Sequence, residues 1–108
     1  MAWIYLIMAG FFEIGWPVGL KLSQTPGRFL PGLAIAVACM GASGGFLWLA
    51  QKTIPIGTAY AVWTGIGAVG TFAVGILFHG DSTSALRLVS AGLIVTGIVG
   101  LKLAHGSG

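Results

Sequence analysis

The sequence predicts an all-α membrane protein with four transmembrane helices. Three observations carry that expectation. Of 108 residues, 56% are hydrophobic and 6% charged, whereas soluble domains carry about 25% charged residues. The apolar residues fall into four runs, each near the roughly 20 residues a helix needs to cross a bilayer. Nineteen glycines point the same way, because Gly is commoner in membrane helices than in soluble ones.

The first span is expected at about residues 3–22 (WIYLIMAGFFEIGWPVGLKL) and the second at about 29–50 (FLPGLAIAVACMGASGGFLWLA). The third runs over about 54–78 (IPIGTAYAVWTGIGAVGTFAVGILF), and the fourth over about 85–104 (ALRLVSAGLIVTGIVGLKLA). Short polar joints at 23–28, 51–53 and 79–84 separate them, so sequential helices run antiparallel. Pro31 and Pro55 fall in the first turns of their spans, where a missing N–H costs little. Ser82, Thr83 and Ser84 are each able to cap the fourth helix. Residues 1–108 are thus expected to form one transmembrane domain, with no segment left for an extramembrane one. The start MAWIYLI lacks the basic segment and cleavage site of a secretory signal, so the first span is expected to stay in the mature protein.

Charge speaks to topology and not to nucleic acid. The net charge is +3, but the five basic residues are scattered near span ends rather than gathered in a stripe. Lys21, Arg28 and Arg87 fall on one side, and Lys52 and Lys102 on the other. So small a bias gives insertion little preferred direction, which favours dual topology and a dimer of opposed copies. Four slender helices also enclose a charged site poorly without a second copy. Small residues at four-residue spacing permit close helix approach, and Gly92, Thr96 and Gly100 are the expected dimer seam.

Glu13 is the one acid within a span; the other acid, Asp81, lies in a joint. A carboxylate at mid-membrane costs roughly 2.5–3.5 kcal/mol on insertion scales, and such residues mark ion, proton or substrate paths. A structural carboxyl bonded to a hydroxyl is the plainer alternative. Gly10, Trp16 and Pro17 share a helix face with Glu13. Gly10 leaves space one turn before the carboxylate, and Trp16 offers an aromatic face one turn after it. Pro17 cannot donate to the carbonyl of residue 13, which breaks one helical hydrogen bond there. Ser43 is the conspicuous hydroxyl of the second span and a candidate partner for Glu13, while Tyr60 and Trp63 form an aromatic pair three residues apart. A carboxylate, a hydroxyl and aromatic faces suit an organic cation. Trp3 and Trp48 fall near span ends, as interfacial belt residues do, whereas Trp16 and Trp63 lie deeper.

Other motifs carry less. Gly65-Ile66-Gly67-Ala68-Val69-Gly70 matches GxGxxG, but a dinucleotide site needs a preceding strand, and this motif lies inside an apolar span. Its glycines serve packing or bending instead. His79 and His105 lie in a joint and in the tail, without partners at metal-ligand spacing. No metal site, cofactor or catalytic constellation is expected, so an enzyme is the weakest reading. Cys39 sits in an apolar run as a small hydrophobe.

The stretches Gly10-Phe11-Phe12-Glu13-Ile14-Gly15-Trp16, Gly19-Leu20-Lys21, the run from Pro55 to Ala68, and Gly97-Ile98-Val99-Gly100-Leu101-Lys102 together resemble the small multidrug resistance family. Trp16 after the glutamate and the Gly-Leu-Lys ending resemble its guanidinium-exporter subtype. Pro17 stands where that subtype usually has Ala, and Pro26-Gly27-Arg28-Phe29-Leu30 departs from the family's first loop. The resemblance implies an antiparallel, dual-topology homodimer in the bacterial inner membrane that exchanges protons for guanidinium-type cations. It assigns Glu13 as the shared proton and substrate site and Gly10, Trp16, Ser43, Tyr60 and Trp63 as the surrounding pocket. Three other readings stand beside it: a broader exporter of quaternary ammonium and other lipophilic cations, a non-transporting membrane subunit, and one half of a heterodimer with a paralogue.

Overall fold

Four helices make up most of the chain in the computed structural model, which describes residues 1–107, with side chains as far as residue 104. They are α1 (Ala2–Ser23), α2 (Phe29–Ala50), α3 (Ile56–His79) and α4 (Ala85–Ser107). Each is long and apolar enough to cross a membrane, α4 over Ala85–Ala104.

The joints follow from their residues. After α1, the Arg28 N–H donates to the Thr25 carbonyl at 3.0 Å. Gly27 lies between them at φ 80, and Pro-Gly at the centre of a turn favours this positive φ at the Gly. Pro55 stands just outside α3 rather than in its first turn: its ψ of 142 is extended, and the helix begins at Ile56. Gly80 ends α3 in the left-handed region at φ 70, and His79 is thus the last helical residue rather than part of a joint. Of the three hydroxyls before α4, Ser84 takes the capping position, accepting the Arg87 N–H at 3.4 Å.

The helices do not close into a four-cornered bundle. α1 lies between α2 and α3, and α4 packs against α3. The order across the molecule is therefore α2–α1–α3–α4, in a layer only 16 Å thick. Sequential neighbours are not always spatial ones: α2 and α3 touch only briefly, while α1 and α3 run side by side.

Glycine sets the closest approaches. Along α1 and α2, Gly19 lies against the backbone of Gly32 and Ala36, at distances where a side chain would find no room. Along α1 and α3, Ile66 fills the space above Gly10, Glu13 lies on Gly67, and Ile14 lies on Gly70. The paired numbers rise together, so these two helices are parallel. The GxGxxG glycines are thus packing positions, with Gly65 turned the other way, toward Ile94 and Ile98 of α4.

The fully buried cluster is small: Leu6, Ala50, Ile54, Ala59 and Val62, with Trp63 and Ile66 against it. Much of the remaining apolar surface is exposed, including Leu88, Val89, Leu93 and Val99 on α4. In water such a surface would aggregate; facing lipid it needs no protein cover.

Candidate functional site

The site is built at the middle of the layer, where α1 meets both of its neighbours. Glu13 is half-buried on the α3 side. Its side chain has room because Gly67 presents no Cβ there. One turn on, the Trp16 indole N–H donates to Glu13 Oε1 at 2.6 Å. The two residues are three apart on one helix face, so the helix itself holds them together. An ionised carboxylate accepts about four hydrogen bonds, and Trp16 occupies one of those positions.

Ser43 is the buried polar side chain of the core, with 1% exposure. It does not reach Glu13. Its hydroxyl donates to the Ala9 carbonyl of α1 at 2.7 Å and accepts the Trp63 indole N–H at 2.7 Å. The hydroxyl has a single proton, and the Ala9 carbonyl takes it, so none remains for the carboxylate. Ala9 lies four residues before Glu13, one helical turn away. The chain Trp63–Ser43–Ala9 therefore ties α3 and α2 to α1 just beside the acid. Tyr60 meets Trp63 edge to face, with ring centroids 5.3 Å apart at 65°, and is itself exposed.

The sequence-predicted site residues thus fall into two connected groups. Glu13 and Trp16 bond directly, while Ser43, Trp63 and Tyr60 form a network one turn away. Gly10 differs from expectation: the space it leaves is occupied by Ile66, so it seats α3 against α1 rather than opening a pocket. Trp16 also differs, contributing a hydrogen bond rather than only a ring face. Sequence reasoning missed Gly67 as the floor beneath Glu13, although the motif containing it had been noticed. It also missed a stack of Phe12 on Phe46, at 5.8 Å and nearly parallel, and of Tyr5 on the same Phe46 ring at 6.2 Å. Aromatic residues at i and i+7 were the available signal, but nothing local indicated that both faced Phe46.

Below Glu13 an open groove of about 340 Å³ continues along the α1–α3 seam, between Pro17 and Lys21 on one side and Thr71, Gly75 and His79 on the other. Pro17 and Thr71 each lie four residues beyond Glu13 and Gly67, so the groove begins one turn from the carboxylate. Among the described residues no three His, Cys, Asp or Glu side chains gather to hold a metal ion. The His105 side chain lies outside the described part.

The sequence also matches a known family along most of its length. The family model described as "Small Multidrug Resistance protein" matches residues 1–94. The chain belongs to the small multidrug resistance family. Among curated members, the guanidinium exporter of Yersinia pseudotuberculosis serotype I (strain IP32953) is 54% identical over 104 residues, covering 96% of this chain and 99% of that protein. The guanidinium exporter of Salmonella typhimurium (strain LT2) is 52% identical over 103 residues, or 95% and 97% of the two chains. That of Citrobacter freundii is likewise 52% identical over 103 residues. With four apolar helices and this family, the chain is a multi-pass membrane protein.

Proposed function

We propose that this small multidrug resistance protein is a proton-coupled antiporter that exports guanidinium and small substituted guanidinium cations across the bacterial inner membrane. It is a transporter and not an enzyme, it works without a cofactor, and residues 1–108 act as one transmembrane domain. The single observation that carries the reading is the Glu13 carboxylate, held by Trp16 on a glycine floor at mid-helix. Relatives named guanidinium exporters, more than half identical over nearly the full chain, support it.

The chemistry follows from the carboxylate. A planar guanidinium donates paired N–H bonds to a carboxylate, and charge-assisted pairs of this kind are roughly twice as strong as neutral ones. The same oxygens take a proton. A site that holds either a proton or a cation exchanges one for the other, which couples the two fluxes. Trp16 keeps the carboxylate aimed, and the rings of Tyr60 and Trp63 offer faces to a cation. The Ser43 hydroxyl holds Trp63 in place.

The functional unit in this proposal is an antiparallel homodimer with both orientations in one membrane. A layer 16 Å thick cannot enclose a charged site alone, and a second copy laid against it supplies the missing wall and a second Glu13. The near balance of loop charges lets both orientations insert. Exchanging the conformations of the two copies then turns an inward-facing chamber outward.

A cation panel in proteoliposomes tests the proposal. Guanidinium and monoalkyl guanidinium should drive proton movement faster than tetrapropylammonium, which offers no N–H donors to the carboxylates. Equal or faster transport of tetrapropylammonium would move the protein to the broader lipophilic-cation exporters of its family.

A further inference from the structure

We propose that the crevice between α3 and α4 binds an anionic phospholipid, with its phosphate on Arg87 and one acyl chain along the groove. The crevice has a volume of about 430 Å³ and is lined by Ala68 and Phe72 of α3 and by Leu86, Arg87, Ala91 and Ile94 of α4. It is apolar except near one end. From Leu86 to Ile94 the groove runs about 12 Å at 1.5 Å per residue, most of one leaflet of a hydrocarbon core roughly 30 Å thick.

Arg87 makes the polar end an anion site. It lies in the first turn of α4, where the helix dipole is positive and a cation is unfavourable without an anion nearby. Its one carboxylate neighbour, Asp81, is 4.0 Å away, and both side chains are more than a third exposed, so the pair is weak. Its Nε is buried and donates to no described residue. Its guanidinium sits over the Phe72 ring, 4.7 Å from the centroid, which fixes the head of the side chain at the mouth of the groove. Ser90, the groove's other polar side chain, already donates to the Leu86 carbonyl at 2.7 Å. A phosphodiester pairs with the outer guanidinium N–H groups of the partly exposed side chain, since Arg binds phosphate through two parallel N–H bonds. Basic pockets between membrane helices take lipid headgroups in this way.

The residues of the seam proposed for the dimer do not line the groove. At about 100° per residue, Arg87, Ala91, Ile94 and Ile98 face α3, while Gly92, Thr96 and Gly100 lie on the opposite side of α4. The proposed seam residues therefore lie outside the groove.

Native mass spectrometry of the purified protein, titrated with dioleoyl phosphatidylglycerol or dioleoyl phosphatidylcholine, tests this. The anionic lipid should bind roughly fivefold tighter, the increment typical of one basic residue near an anionic headgroup. Arg87→Gln should bring the two lipids to equal affinity, Arg87→Lys should keep most of the preference, and Lys52→Gln, outside the groove, should leave it unchanged. Ala91→Phe, which fills the groove, should weaken both lipids. An unchanged preference in Arg87→Gln overturns the headgroup site, and unchanged lipid binding in Ala91→Phe overturns the groove. Displacement of the lipid by millimolar inorganic phosphate would reduce the site to a phosphate contact, and a shift of Ala91→Phe from dimer to monomer would make the occupant a second copy; either result overturns the proposal.

Discussion

Ser43 is the residue whose removal has the most readable consequence. Its hydroxyl is buried and makes both of its bonds at 2.7 Å, one to Ala9 and one from Trp63. Ser43→Ala leaves the Trp63 indole N–H without an acceptor in an apolar surround. The Ala9 carbonyl keeps its helical partner and loses only its second donor. Hydrogen bonds between membrane helices are worth about 0.6 kcal/mol on average and about 1.7 at most, so losing both should cost roughly 1–3 kcal/mol. Trp63→Phe removes the N–H and keeps most of the ring. A double-mutant cycle, measured by reversible unfolding in mixed detergent micelles, should therefore return a coupling of about 0.6–1.7 kcal/mol between the two positions. The uncoupled Trp63 ring should also bind cation less well, so the guanidinium KM should rise in Ser43→Ala. Single effects that add within about 0.3–0.5 kcal/mol, the margin expected of independent sites, would refute the network and leave Ser43 as a packing residue.

Three further outcomes follow from the packing. Gly67→Ala places a methyl group against the Glu13 side chain; overpacking of this kind costs about 1–3 kcal/mol, and guanidinium-driven proton flux should fall about tenfold or more, while Gly41→Ala, with open space around it, should leave flux unchanged. Gly92→Ile and Gly100→Ile also meet open space within one copy, so the monomer should stay folded while energy transfer between labelled copies reports a weaker dimer. Single cysteines placed at Gln24 or Thr25 in a Cys39→Ala background should react with membrane-impermeant maleimide from both sides, and labelling from one side alone would refute dual topology.

Much of the helical plan was legible because hydropathy alone dictates it: runs of apolar residues broken by Pro, Gly and hydroxyl-rich joints. Glu13 was legible because a lone acid in such a run is costly enough to demand a reason. The pair Tyr60 and Trp63 was legible from helical spacing. What was not legible was which face of each helix meets which neighbour. In a helix apolar on all sides, hydrophobicity does not mark the inner face, and contact is decided by matching small residues to large ones across helices. Glu13 found Gly67, and Gly10 received Ile66, only once the register of α1 on α3 was known. Ser43 illustrates the same limit. Its type and depth marked it as a partner for something, but the arrangement of three helices decided that the partners were Ala9 and Trp63 rather than the carboxylate. Pro55 moved out of α3 for a local reason, since its extended ψ is incompatible with a helical position.

In the proposed antiporter one carboxylate per copy serves both proton and guanidinium. The most direct measurement is guanidinium-driven proton flux in proteoliposomes containing Glu13→Gln protein, with circular dichroism and the dimer fraction recorded on the same sample. Gln keeps the size of the side chain and an acceptor for the Trp16 N–H, but neither ionises nor exchanges a proton. The expected result is a folded dimer with no coupled flux. Proton movement driven by guanidinium at a rate near that of the unaltered protein would contradict it.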